Sequence, residues 1–138
     1  MGGGMTFQAN NPGNIRFDPN NLWRGLDNPT ADEHGFARFT AMHYGVRALA
    51  KTLLTYQDIH GLKTVREIIG RWAPPADHND TEAYAADVAA RCRVSPDDQI
   101  DLHDPSVLGA LAAAISHHET GQFIDAGTIN GATASALA

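Results

Sequence analysis

A glutamate at residue 119 stands where its side chain could act as an acid. The stretch AAAISHHETGQF places it near the end of a predicted helix that starts at Pro105 and stops at Gly121. The apolar stripe of this helix is Leu108, Leu111, Ala112 and Ile115, and the next positions on the same face are His118 and Glu119. Burial and the unpaired carbonyls of a helix C-terminus both disfavour an ionised carboxyl group. A carboxylic acid that keeps its proton can give it to the leaving sugar oxygen of a glycoside.

The same spacing also allows two other interpretations of Glu119. Its side chain can turn outward at a frayed helix end, or pair with an arginine or a protonated histidine. His117 and His118 precede it and suggest a metal site, but adjacent histidines on a helix point about 100° apart and do not converge. The remaining histidines are dispersed along the chain. We therefore predict no metal site and no cofactor.

Composition excludes several other classes of function. The sequence contains no GxSxG motif and no phosphate-binding glycine loop. The single cysteine, Cys92, cannot form an internal disulfide and is expected to be a small packed hydrophobe within a helix. The formal charge of −6 disfavours nucleic acid as a partner. No secretory signal or membrane-length apolar stretch is present, so we expect no membrane insertion.

Polar and aromatic residues elsewhere are suited to a saccharide. The turn NNPGN at residues 10–14 carries side-chain amides that could bind polar substrate groups, or could simply build the turn. Four aromatic side chains are candidates to stack on sugar rings: Trp23, Trp72, Tyr44 and Tyr84. Trp72 lies on the apolar stripe of its own helix, so core packing is the favoured role for it. For Trp23 the two roles remain open.

Turn and cap signals divide the chain into a small sheet and about four helices. Short β-like runs are NIRF, LWRGL and FARF, separated by the turns DPNN, DNPT and DEHG. A helical period then runs from Tyr44 to Gly61. Capping boxes are predicted at Thr64 with Glu67 and at Asn79 with Glu82, and Asp104 caps the helix that begins with Pro105. We predict one α+β domain over residues 5–138.

Both chain ends are predicted to be loosely ordered. The first glycines, in MGGGMTFQ, have the composition of an added leader or flexible tag. The last residues, DAGTINGATASALA, are small, weakly apolar and interrupted by glycine.

Several motifs together resemble a family of phage virion and prophage proteins with a lysozyme-like fold. They are, in order, NNPGNIR, WRGL, GFARF, YGVRALAKTLLTY, TVREIIGRWAPP, NDTEAY and HHETGQ, and they span about residues 10–122. The resemblance implies that the protein degrades peptidoglycan during infection or release. It also implies a lysozyme-like fold. Many proteins of this kind are described only as structural virion components.

A more distant similarity links the chain to bacterial glucosaminidases and lytic transglycosylases. In those enzymes a helix ends in a catalytic glutamate, and segments similar to NNPGNIR, WRG and FARF follow it. Here the same pieces come first and HETGQ comes last, so the chain is similar to a circular permutation of that arrangement. If the termini lie close together, the last helix brings Glu119 beside the sheet. The resemblance thus implies that Glu119 is the catalytic acid.

The resemblance also implies roles for other residues. Asn11, Asn14 and Arg16 are expected to bind substrate or to shape the floor of the cleft, and the aromatic candidates Trp23 and Tyr84 are expected to bind substrate beside them. A hydrolase needs a second carboxylate, for which the candidates are Asp27, Asp32 and Glu33, whereas a lytic transglycosylase uses a single acid and base. The expected bond is the β-1,4 link between N-acetylmuramic acid and N-acetylglucosamine.

Three alternatives remain open from the sequence. They are an N-acetylglucosaminidase, a non-enzymatic virion or tail protein, and an effector delivered between bacteria. The expected partners are peptidoglycan glycan strands and other virion proteins, with the protein itself a monomer. We expect it in the virion, or in the host cytoplasm as an endolysin, with its action in the periplasm and cell wall.

Overall fold

The computed structural model describes residues 9–138, so the prediction about the first glycines lies outside the described residues. A two-stranded antiparallel sheet precedes five α-helices in this part of the chain, which confirms the α+β class. The elements are β1 (Leu26–Ala31), β2 (Ala37–Phe39), α1 (Met42–Asp58), α2 (Val65–Trp72), α3 (Thr81–Cys92), α4 (Pro105–Thr120) and α5 (Ala126–Leu137). Over residues 9–138, no helix combines the length and the apolar character that crossing a bilayer requires.

Helix α4 lies at the centre of the hydrophobic core. It packs against α1, α3 and α5. Its stripe is fully buried at Leu108, Leu111, Ala112 and Ile115, and burial continues through Ala114 and Ser116. Each buried leucine or isoleucine contributes about 2 kcal/mol relative to exposure. The buried face of α4 therefore has no place for an unpaired polar group, whereas Ala110 on the opposite face is exposed.

Two of the three predicted helix N-caps are found in the structure. Thr64 accepts a hydrogen bond from the backbone N–H of Glu67, and Asp104 accepts one from Ser106, as expected. The prediction that Asn79 caps α3 is wrong, because Asp80 accepts from the N–H of Ala83 instead. Asn79 is engaged elsewhere: its amide donates to the carbonyl of Pro74.

The sheet is smaller than the sequence pattern indicates. FARF forms β2 and NIRF contributes a single bridge between Arg16 and Phe36. The strand prediction for LWRGL is wrong, since β1 begins only at Leu26 and runs through the predicted turn DNPT. Trp23, just before it, instead packs in an apolar cluster with Phe39. Trp23 and Leu26 pack against that cluster, Leu26 also pairs with Phe39 in the sheet, and Leu22 is exposed.

The prediction that the C-terminal tail is loosely ordered is wrong. The tail forms α5, capped by Asp125, which accepts from the N–H of Thr128. Its small residues let it lie close to α1, and its inner face is buried at Ile129, Ala132 and Ala136. Packing of that face overrides the weak helical signal of the composition.

The turn at residues 10–14 is fixed by the buried side chain of Asn11. Its amide donates to the carbonyls of Ile15 and Ala37, both at 2.9 Å, and its oxygen accepts from the N–H of Ile15. The turn also lies against α1 at Gly45, where a Cβ atom would stand 1.7 Å from the carbonyl oxygen of Asn10. The turn, β2 and α1 are therefore held as one unit.

We expect Asn11→Ala to destabilise the fold by roughly 3 kcal/mol, because it leaves buried backbone groups without partners. Chemical denaturation followed by circular dichroism measures this change. Asn20→Ala, at an exposed asparagine, is the control and should change the free energy of unfolding by less than about 0.5 kcal/mol. Equal stability of the two variants would contradict the structural role of Asn11.

Candidate active site

Glu119 lies in the last turn of α4, half-buried, with both carboxyl oxygens engaged. Helix α4 ends at Gly121, whose φ of 72° suits glycine and whose N–H bonds to the carbonyl of His117. The Asn14 amide donates to Oε1 of Glu119 at 2.5 Å, and the Tyr84 hydroxyl donates to Oε2 at 2.6 Å. The carboxyl group is thus held by the N-terminal turn and by α3.

The hydroxyl of Tyr84 is itself oriented by Trp72. The indole Nε1 of Trp72 donates to this hydroxyl at 3.1 Å. An indole N–H can only donate, so the hydroxyl proton of Tyr84 is left for Glu119. Burial, and then the charge of Glu119, raise the pKa of Tyr84 well above its usual value, which keeps the hydroxyl protonated. Trp72, Tyr84 and Glu119 therefore form a directed chain of hydrogen bonds.

Glu119 stands where two cavities adjoin. One has a volume of about 590 Å³ and the other about 630 Å³, both within the usual range of ligand sites. Both cavities are lined by Glu119 and by Asp77, His78 and Asn79 of the connection between α2 and α3. Aromatic side chains line the first cavity at Phe36, Tyr56 and Trp72. The two cavities together form the cleft, with Glu119 between its halves.

Asn14 reaches Glu119 from an unfavourable conformation. Its φ of 52° lies in the left-handed region, which costs free energy for any residue but glycine, although asparagine tolerates it best. Its Oδ1 is buried and has no hydrogen-bond partner within residues 9–138. Buried unpaired acceptors are rare because each costs about 1–3 kcal/mol. Costs of this kind concentrate at functional sites, where local geometry serves something other than stability.

The motif NNPGNIR divides between the cleft and the core. Asn14 and Arg16 line the cleft, and the guanidinium of Arg16 lies over the ring of Phe36 at 4.7 Å. The prediction that Asn11 binds substrate is wrong, because its side chain is fully buried and its amide bonds only to the backbone. Tyr84, also predicted to bind substrate, is 3 % exposed and stacks on His118 at 3.6 Å. The part of Tyr84 that takes part in the site is its hydroxyl, which donates to Glu119.

The carboxylates predicted on the sheet do not line the cleft. Asp32 accepts the N–H groups of His34 and Phe36 and so stabilises the turn between β1 and β2. The Glu33 side chain is 81 % exposed. Asp27 forms an ion pair with Arg38 at 3.4 Å. The turn therefore uses Asp32 and exposes Glu33, while Asp27 in β1 pairs with Arg38 in β2.

Trp23 lies at a different cavity. That cavity has a volume of about 450 Å³, and Lys51 and His103 line it with Trp23.

Two further residues considered from the sequence, His117 and Cys92, do not line the cleft either. His117 packs on Phe123, and burial raises the pKa of the Cys92 thiol to about 11, as expected for a packed hydrophobe.

Sequence reasoning missed the segment that follows α2. Core packing is the favoured role of Trp72 from its sequence, and the side chain packs there but also lines the cleft. Asp77 and His78 were not singled out at all. The signal available was RWAPP: two prolines after a helix end produce a short, stiff connection. No sequence pattern within this segment indicates that it lies beside residue 119 in the fold.

Comparison with known proteins relates the chain to a bacteriophage. It is 35 % identical over 108 residues to Protein P5 of Pseudoalteromonas phage PM2. The matched region covers 76 % of this chain and 66 % of Protein P5, just under two thirds of that protein's length. No model of a known protein family matches the sequence. The chain is thus similar to a phage protein, in keeping with the phage origin that its motifs predict.

Proposed function

We propose that the protein cleaves the glycan strands of peptidoglycan as a muramidase, with Glu119 as the general acid. The bond is the β-1,4 link between N-acetylmuramic acid and N-acetylglucosamine. The observation that carries the proposal is the position of Glu119. It is a half-buried carboxyl group, fixed by two donors, between the two halves of an open cleft.

In this mechanism Glu119 gives its proton to the bridging oxygen while the bond from that oxygen to C1 of the sugar breaks. The sugar left behind takes on oxocarbenium character. The carboxylate formed on Glu119 is stabilised by the donors already in place, the Asn14 amide and the Tyr84 hydroxyl. Neither donor has to move during the step. Donors that are already in place stabilise the developing negative charge most efficiently.

The lining of the cleft suits a chain of amino sugars. Sugar rings present apolar faces that pack on aromatic side chains, and Trp72, Tyr56 and Phe36 offer such faces in the first cavity. Hydroxyl and acetamido groups need hydrogen-bonding partners, which Arg16 and Asn79 provide at the same walls. A cleft with space on both sides of Glu119 suits cleavage within a strand.

The positions of the chain ends support the permuted lysozyme-like arrangement. The carbonyl of Asn10 lies against Gly45 in α1, and Ser135 in α5 accepts a hydrogen bond from Arg47 in the same helix. The N-terminal turn therefore lies at the first half of α1, whereas Leu137, at the other end of the described chain, lies at a cavity lined by Leu54 and Asp58 of its second half. Both ends pack on one helix, which is compatible with a circular permutation. Similarity to a phage protein adds support, since a phage must pass the cell wall at entry or release.

Glu119→Gln should lower the rate of wall cleavage by about 10²–10⁴-fold, because the amide has no proton to transfer. The rate is measured as loss of turbidity of purified peptidoglycan. We expect the melting temperature to change little, since glutamine keeps the shape of the side chain. Glu33→Gln, which changes an exposed carboxylate outside the cleft, is the matched control and should retain the full rate.

Two results would overturn the proposed function. One is a Glu119→Gln protein that clears walls as fast as the unmodified protein. The other is a folded, unmodified protein that releases no fragments from peptidoglycan, which would favour a structural role in the virion.

Asn14→Gly should separate stability from activity. Glycine accepts the left-handed φ of this position and removes the buried unpaired oxygen, so stability should hold or rise by up to about 1 kcal/mol. Cleavage should fall, by about tenfold or more, because Glu119 loses a fixed donor. Thermal denaturation and turbidity assays measure the two effects.

Arg93→Gly is the control for this change. Arg93 has a φ of 59° at the end of α3 and is exposed outside the cleft, so glycine there should raise stability without a change in rate. A loss of stability in Asn14→Gly that matches its loss of activity would instead assign Asn14 to the turn alone.

A further inference from the structure

The cleft contains three carboxyl groups among the described residues. They are Glu119, Asp77 and Asp80. Asp80 is committed to the fold, because its Oδ1 accepts the N–H of Ala83 as the cap of α3. Asp77 lines both halves of the cleft, as Glu119 does, and within residues 9–138 its carboxylate makes no hydrogen bond or ion pair. It is the one carboxylate here that the fold does not use.

The backbone holds Asp77 firmly at this place. Pro74 and Pro75 precede it, and a short 3-10 helix spans Pro75–Asp77. The N–H of Asp77 bonds to the carbonyl of Pro74, and that of His78 to Pro75. Two prolines and two hydrogen bonds leave the segment little conformational freedom. The carboxylate is thus presented to the cleft from a stiff support.

We propose that Asp77 is the catalytic base of a hydrolytic reaction, which assigns the protein to the hydrolases rather than the lytic transglycosylases. This inference rests on the proposed function. Glu119 protonates the bridging oxygen, and the bond from that oxygen to C1 breaks. Asp77 takes a proton from a water molecule whose oxygen bonds to C1. One water is consumed, one strand gains a hydroxyl at C4, and the other gains a free reducing end.

The environments of the two carboxyl groups fit these separate roles. No hydrogen bond joins Asp77 to Glu119 within the described residues, so the pair does not share a proton. Asp77 is exposed, so bulk water reaches it, whereas Glu119 is half-buried between two donors. A lytic transglycosylase would need Glu119 alone, whereas a hydrolase needs a second carboxylate that can activate water.

Digestion of purified peptidoglycan in water enriched in ¹⁸O tests the reaction class. Hydrolysis places one ¹⁸O atom at C1 of the new reducing end, which mass spectrometry of the fragments detects. A 1,6-anhydro end without the label would overturn the inference while leaving Glu119 as the acid of the proposed function. If no fragment is released, both the proposed muramidase function and the role of Asp77 are wrong.

Asp77→Asn tests the residue itself. We expect a fall in kcat of about 10²-fold or more, with little change in KM, and loss of the decline in rate on the acid side of the pH profile. Glu33→Gln is the matched control and should keep both the rate and the profile. Because Asp77 is exposed and its side chain makes no intramolecular bond, the melting temperature should not change. An Asp77→Asn protein with the full rate and an unaltered profile, while Glu119→Gln is inactive, would overturn the role of Asp77 only.

Discussion

Helix α4 buries one face against three other helices, and this burial decides where on that face the protein can place a polar group. From Leu108 to Ser116 every buried side chain of α4 is apolar or small. A carboxyl group in the middle of that face would meet no water and no partner. At the last turn Glu119 reaches the Asn14 amide and the Tyr84 hydroxyl. The buried stripe therefore leads to a glutamate because the stripe ends at the cleft.

The groups that surround Glu119 belong to elements far apart in the chain. Asn14 lies in the N-terminal turn, Tyr84 in α3, and Trp72 at the end of α2. Each is fixed independently: the turn by Asn11, the helices by their caps and by the core. The stable core offsets the cost of a left-handed asparagine with an unpaired oxygen. Rigid support from several separate elements can fix the position of a side chain to within a fraction of an ångström.

Local signals predicted the start of α4 and the cap of α2, because a capping residue or a proline determines the backbone conformation within one helical turn of itself. They did not predict α5, whose alanines, glycines and threonines form a helix only through contact with α1. Nor could they separate Asn11 from Asn14, which share a motif but face the core and the cleft. Asp32 was misassigned for a related reason. A carboxylate beside a turn is more readily used by the N–H groups of that turn than by a substrate.

The two tryptophans of the chain lie at different cavities, and this separation has a spectroscopic consequence. Trp72 lines the cleft and donates to Tyr84, whereas Trp23 lies at the cavity beside Lys51 and His103. Their emission therefore reports two places at once. In a Trp23→Phe protein the intrinsic fluorescence comes from the cleft alone. A ligand that occupies the cleft would then be visible through a change in this emission, so binding at the cleft can be followed by itself.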